Sequence, residues 1–142
     1  MPLSRAHGKT PREPWQYGDM ALKEVKKWIN FRHRLVPYLY HTACQSHQSG
    51  IPMIRPLVME YPKDPIAKIQ NLSYMLGDAL LISPGFDRDE YELYLPEGRW
   101  QDIESKEVYE GMTFVHIENK AFADGGTSLR VFQKEGTSIP LF

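Results

Sequence analysis

The sequence has very little cysteine: Cys44 is its only one. An intrachain disulfide is excluded, and a reducing compartment is the expected setting. Long apolar runs are missing as well. No stretch approaches the roughly 18 to 20 residues that a bilayer-crossing helix requires, and the opening MPLSRAHGKT has no apolar segment of the kind a secretory signal carries. Nor is there an excess of one charge. Lys and Arg number 17 against 18 Asp and Glu, so neither a basic surface for nucleic acid nor an acidic tail is encoded. Internal repeats and low-complexity segments are absent. These absences together predict a soluble, cytoplasmic protein with neither nucleic acid nor membrane as partner.

What is present is apolar material and frequent punctuation. The hydrophobic fraction is 42%, with eight Tyr, six Phe and three Trp, enough to build a core. The 142 residues suffice for one ordinary domain or two small ones. Pro2, Pro11 and Pro14 with Gly8 and Gly18 keep residues 1–18 loop-like. Inside that loop, SRAHGKTPREPW places Arg5, Lys9 and Arg12 beside His7 and Trp15. Such a composition suits a polar pocket wall better than a core segment. After Asp19, read as a helix N-cap, Leu22, Val25, Ile29, Val36, Leu39 and Ala43 recur at helical spacing. The spacing predicts one long amphipathic helix over 19–50, closed near Gly50 and kinked or divided at Pro37.

Residues 51–62, IPMIRPLVMEYP, read as an extended apolar segment whose prolines oppose a helix and an ordinary central strand. Asp64 and Pro65 can open a second helix, with Ile66, Ile69, Leu72, Tyr74 and Met75 on one face and a stop at Gly77. From Leu80 onward, short apolar runs alternate with turn residues at 96–98, 110–112, 124–126 and 134–136. Tyr91, Leu93 and Leu95 alternate with Glu92 and Tyr94 as in a half-buried strand. This half predicts a small antiparallel β domain, a sandwich or part of one. The expected class is α+β, with one part over 1–78 and a second over 79–142.

The order of the segments SRAHG, REPW, RHRLVPYLYHTA, HQSGIPMIRPLVMEYPKDP, YMLGDALLISP, YLPEGRW and EGTSIPLF resembles the C-terminal stretch of glycoside hydrolase family 31. That family contains α-glucosidases, α-xylosidases and related transglycosylases. The resemblance implies a catalytic (β/α)8 barrel followed by a β-sandwich. On that layout residues 1–18 end a late barrel strand, the long helix packs outside the barrel, 51–60 form the last barrel strand and 65–77 the final helical segment. The sandwich would begin near residue 79. A retaining glycosidase needs two carboxyl groups about 5 to 5.5 Å apart. The resemblance puts both, as aspartates, on earlier barrel strands, and no motif here matches them, so no catalytic residue is carried over.

The resemblance carries over His7, the histidine of the R-x-H-G motif, as a contact to the sugar ring where cleavage occurs; an imidazole can donate one hydrogen bond to a hydroxyl. Arg5 is expected in support. Trp15 is expected either as an aromatic wall of the same subsite or as a packing anchor. The sequence departs from the family at Arg130, where a proline is usual, and the segment AFADGG is irregular.

Other polar groups carry structural expectations. His33, His41 and His47 are 8 and 6 apart, which is not the i, i+4 spacing of helical metal ligands. No metal or other cofactor is expected. Glu60 and Asp64 flank the end of the presumed barrel strand, but the resemblance places the catalysts elsewhere. Asp78 is expected to hydrogen-bond at the junction of the two parts. Asp87, Asp89, Glu90 and Glu92 read as the solvated face of a hairpin, and the run from Val36 to Tyr40 as core. Expected partners are α-linked glucoside or xyloside oligosaccharides in an intact enzyme. An alternative is a non-catalytic module that binds carbohydrate through Trp100, Tyr91, Tyr94 and Tyr109, although strand periodicity turns several of these inward. A further alternative is a subunit that docks on a chain carrying the rest of the barrel. Bare helix faces and sheet edges predict self-association of the isolated chain.

Overall fold

The computed structural model describes residues 7–85, 90–118 and 129–142. After a 3₁₀ turn at Pro14–Tyr17 come helices α1 (Asp19–Arg34) and α2 (Val36–Ser49), then strand β1 (Ile54–Pro56) and a single helical turn, α3 (Leu57–Glu60). Seven further strands follow: β2 (Tyr74–Leu76), β3 (Leu80–Pro84), β4 (Glu90–Leu95), β5 (Arg99–Asp102), β6 (Val108–Glu110), β7 (Thr113–Glu118) and β8 (Leu129–Lys134). The class is α+β, as expected. No helix among the described residues is long and apolar enough to cross a membrane.

The predicted long helix is divided at Leu35, and Pro37 lies in the first turn of α2, where its missing N–H costs nothing. Gly50 ends α2 in the left-handed conformation. Asp19 is the first helical residue rather than the cap; Gly18 holds the cap position without a side-chain bond. Its charge still favours the helix N-terminus.

Six strands form one antiparallel sheet in the order β1-β2-β3-β8-β5-β6, and β4 pairs with β7 in a separate two-stranded ribbon. The chain's last strand thus lies in the middle of the larger sheet, with Leu81 opposite Phe132 and Ile82 opposite Val131. Strand alternation sends these residues to two faces. Met75, Leu81, Trp100 and Phe132 pack against Tyr91, Leu93, Leu95, Val115 and Ile117 of the ribbon. Leu76, Leu80, Ile82 and Val131 pack against Leu35, Tyr38 and Leu39 at the start of α2. Three layers result: helices, sheet, ribbon. A sheet covered on both sides explains why LLIS reads as a continuous apolar run rather than an alternation.

Two sequence expectations are corrected. The segment 51–60 is not a strand throughout: only Ile54–Pro56 forms one, and it pairs antiparallel with β2 at the edge of the sheet. Pro56 closes that edge strand, and Leu57 is then buried on one helical turn. The second helix over 64–77 does not form either. Asp64 Oδ1 does accept from the N–H groups of Ile66 and Ala67, as a cap would. The segment then stays in turns; of its intended face, Ile66 packs on the core while Ile69 is left 77% exposed. Tyr74, Met75 and Leu76 are taken up by pairing with β3. Of the predicted turns, 124–126 lies outside the described residues.

Candidate functional site

The loop that carries the sugar-contact candidates runs ahead of α1. His7 is exposed, and Trp15 sits on the 3₁₀ turn with 63% of its surface open. Tyr17 and Met20 beside it are also exposed. The turn packs chiefly against α1, a helix with no fully buried residue. Arg5 lies outside the described residues. The arm therefore presents polar and aromatic groups outward.

The most tightly built polar cluster lies where the helices meet the sheet. Arg55 on β1 is 6% exposed. Its Nε donates to the Pro52 carbonyl at 2.8 Å, and one terminal nitrogen donates to Glu60 Oε1 at 2.6 Å and Asp78 Oδ1 at 2.7 Å. Burial works to lower the guanidinium pKa, but the two carboxylates outweigh it and hold it above its ordinary value. Asp78 thus makes the hydrogen bond its sequence context suggested, with Arg55 as the donor. Next to it the Tyr38 hydroxyl donates to the Leu76 carbonyl at 2.7 Å and accepts from the Ala79 N–H at 3.1 Å. Gly77 has φ 60°, and a Cβ there would collide with the Tyr38 hydroxyl. The close approach and the backbone conformation both require glycine.

These carboxylates serve as counter-ions and caps. Glu60 and Asp78 share one cationic nitrogen. Asp64 accepts from Tyr94 at 2.6 Å as well as from two backbone N–H groups. Burial pushes its pKa up, yet these hydrogen bonds win and hold it below the usual carboxylate range. The same contact, with desolvation leading, pushes Tyr94 up to about 12. A glycosidase acid needs the opposite arrangement, a carboxyl held protonated.

The aromatic set of the β half is in the core. Trp100 and Tyr94 are fully buried and Tyr91 nearly so, with Trp100 Nε1 donating to the Pro96 carbonyl at 2.8 Å. Tyr109 stacks edge-on against Phe132. In the acidic patch, Glu92 contacts His116 Nδ1 across the ribbon at 2.8 Å, on a fully solvated face; Asp87 and Asp89 lie outside the described residues. Val36 and Tyr40 point outward while Tyr38 and Leu39 are buried, so only part of that run is core. Sequence reasoning named Glu60 and Asp78 but missed Arg55, which joins them. The available signal was a lone arginine inside an otherwise apolar run.

Residues 50–139 match the profile of the glycosyl hydrolase family 31 C-terminal domain, and residues 1–42 match that family's TIM-barrel domain. The chain is 33% identical to a 1,6-alpha-glucosyltransferase of Sporosarcina globispora, an alignment that takes in 98% of this chain and 11% of the relative. It is 32% identical to an alpha-xylosidase of Saccharolobus solfataricus, over 99% of this chain and 19% of that protein. Its fold superposes on the dextranase of Flavobacterium johnsoniae, solved with glucose, at a TM-score of 0.83 and 31% identity, covering 94% of this chain and 16% of that one. The chain therefore spans less than one fifth of the length of each of these proteins.

Proposed function

The chain belongs to glycoside hydrolase family 31, and from that premise we propose that it serves as the closing portion of a retaining α-glycosidase. Its substrates are α-linked glucosides or xylosides, the two sugar classes named among its relatives. The observation that carries this reading is the match of the barrel profile to the segment holding Arg5, His7 and Trp15, with His7 and Trp15 exposed. His7 donates a hydrogen bond to a hydroxyl of the sugar undergoing cleavage, Arg5 supports it, and Trp15 forms the apolar wall beside it. The nucleophile and the acid/base belong to preceding barrel strands, so residues 1–142 alone do not turn over substrate.

Assays with aryl α-glucosides and α-xylosides test this directly. The purified chain gives no product, and adding a polypeptide with the preceding barrel strands of a family member restores it. His7→Ala in the restored complex lowers kcat/KM by at least about tenfold, or 1.4 kcal/mol. Turnover by the rigorously purified chain alone overturns the proposal.

A docking role has its own support: the outward side of the helices carries Ile29, Val36 and Tyr40, the last 73% exposed. This face meets the rest of the barrel, and without it copies of the chain associate. A division of the chain at residue 78 is likewise proposed. Limited proteolysis tests it: first cleavage near Gly77 supports that seam, and first cleavage near Gly50 supports one ahead of β1, which the β1–β2 pairing favours. Cytoplasmic residence rests on the single cysteine, and cell fractionation checks it.

A further inference from the structure

Helix α1 runs for sixteen residues without burying any of them fully. A helix of that length is marginal in water and depends on what it packs against. Trp28 and Phe31 rest on the helix–sheet core, and Ile139, from the other end of the sequence, packs into that same core. Beyond Ile139 the chain clasps the end of the helix. The Phe142 N–H donates to the Arg34 carbonyl at 3.1 Å, and Arg34 Nε donates to the Phe142 main-chain oxygen at 3.2 Å. The last turn of a helix is where carbonyls run short of intrahelical donors, so the clasp answers a need of α1 itself. Nearer the middle of the helix, Lys27 pairs with Glu104 on the β5–β6 turn. The clasp joins residues 108 apart in sequence. It ties the part of the chain that matches the barrel profile to the stretch that follows the C-terminal-domain profile.

We propose that residues 139–142 and the β5–β6 turn form a positioning strap, which holds α1 to the sheet and thereby sets the arm that carries His7 and Trp15. The arm packs chiefly against α1, so a helix free to shift takes the arm with it. A misplacement of about 1 Å caused far from the chemistry can lower a rate about 100-fold. Lys27, Arg34, Glu104 and Ile139 thus act through His7 rather than on the sugar. That functional half rests on the family reading above; the mechanical half does not.

Amide exchange of the full chain reads the mechanical half. Ile139→Ala is expected to quicken exchange about tenfold in α1 and at Gln16, whose N–H donates to the Glu13 carbonyl within the arm. Arg34→Met, which removes one of the two clasp bonds from an exposed position, quickens the same amides about threefold. Val115→Ala weakens the ribbon core instead and leaves these amides unchanged. Exchange in α1 that ignores both strap variants, or that responds equally to Val115→Ala, overturns the strap. A double-mutant cycle in the barrel-complemented enzyme reads the functional half. Ile139→Ala lowers kcat/KM about tenfold with His7 in place and less than about twofold in the His7→Ala background. Equal losses in the two backgrounds overturn the positioning role. If the unmodified chain restores no activity, the family reading falls, and amide exchange still decides the strap.

Discussion

Helix α1 spans sixteen residues and buries none of them fully, whereas β3 spans five and buries four. Strand β3 is apolar along most of its length, whereas α1 is apolar along one face only. The chain also supplies them with different numbers of neighbours. Strand β3 is sandwiched between helices and ribbon, and its hydrogen bonds are taken by β2 and β8. Helix α1 rests on the sheet through Trp28 and Phe31, and its outer side carries Met20 and Ile29 into solvent. One region of this chain completes its own packing, and the other leaves apolar side chains in water.

Substitutions can break that contrast, beginning with the largest effect. Trp100→Ala removes a fully buried ring from the sheet–ribbon core and costs about 3 to 5 kcal/mol; denaturant titration should show the β half unfolding first. A much smaller loss would mean that this core is less complete than it looks. Gly77→Ala comes next. It forces a side chain into positive φ and against Tyr38, at a cost of about 1 to 3 kcal/mol. Gly50→Ala is the control: its φ of 76° is equally unfavourable, but nothing lies within 4 Å, so the loss is about 1 kcal/mol. Equal thermal shifts for the two glycines would remove Tyr38 from the account.

Smaller in stability but sharper in meaning is the double change Ile29→Ser and Tyr40→Ser. On an outer face it shifts folding by less than about 0.5 kcal/mol, yet it should turn a self-associating chain into a monomer by light scattering. An unmodified chain that is already monodisperse would undo the idea of a one-sided interface. The smallest effect belongs to the ribbon. The hydrogen bond to Glu92, with the charges of Glu92, Glu90 and Glu118, raises the His116 pKa. A raised folded value means the contribution is fully present below about pH 6.5, the unfolded value. It is lost as pH rises through the folded value. Amide exchange in β4 and β7 should quicken across that window, and Glu92→Gln should flatten the response. The pair is solvated, so salt should weaken it too.

Much of this architecture was legible beforehand, for reasons that individual residues make plain. Helical spacing from Leu22 to Ala43 found the helix pair, and Pro37 and Gly50 fixed its break and its end within two residues. Turn residues at 96–98, 110–112 and 134–136 marked the β half. The segment 64–77 misled because a cap and an apolar face do not decide a helix: Tyr74, Met75 and Leu76 are claimed by pairing with β3, and Ile69 is left in water. The extended reading of 51–62 was right for three residues alone; pairing with β2, distant in sequence, decided where the strand stopped. At the candidate site, motif order led to His7 and Trp15, but neither periodicity nor charge announces that Arg55 holds Glu60 and Asp78. That arrangement joins residues 23 apart in sequence, and only the tertiary fold brings them within reach.

The central place of β8 has a consequence for synthesis. A ribosome releases β3 and β5 well before the strand that must slide between them. Until residues 129–134 emerge, the nascent polypeptide holds two half-sheets with a slot between them, each with an open edge. A chaperone or a stray strand could occupy that slot, and a message cut short upstream of Leu129 would yield a product that never closes it.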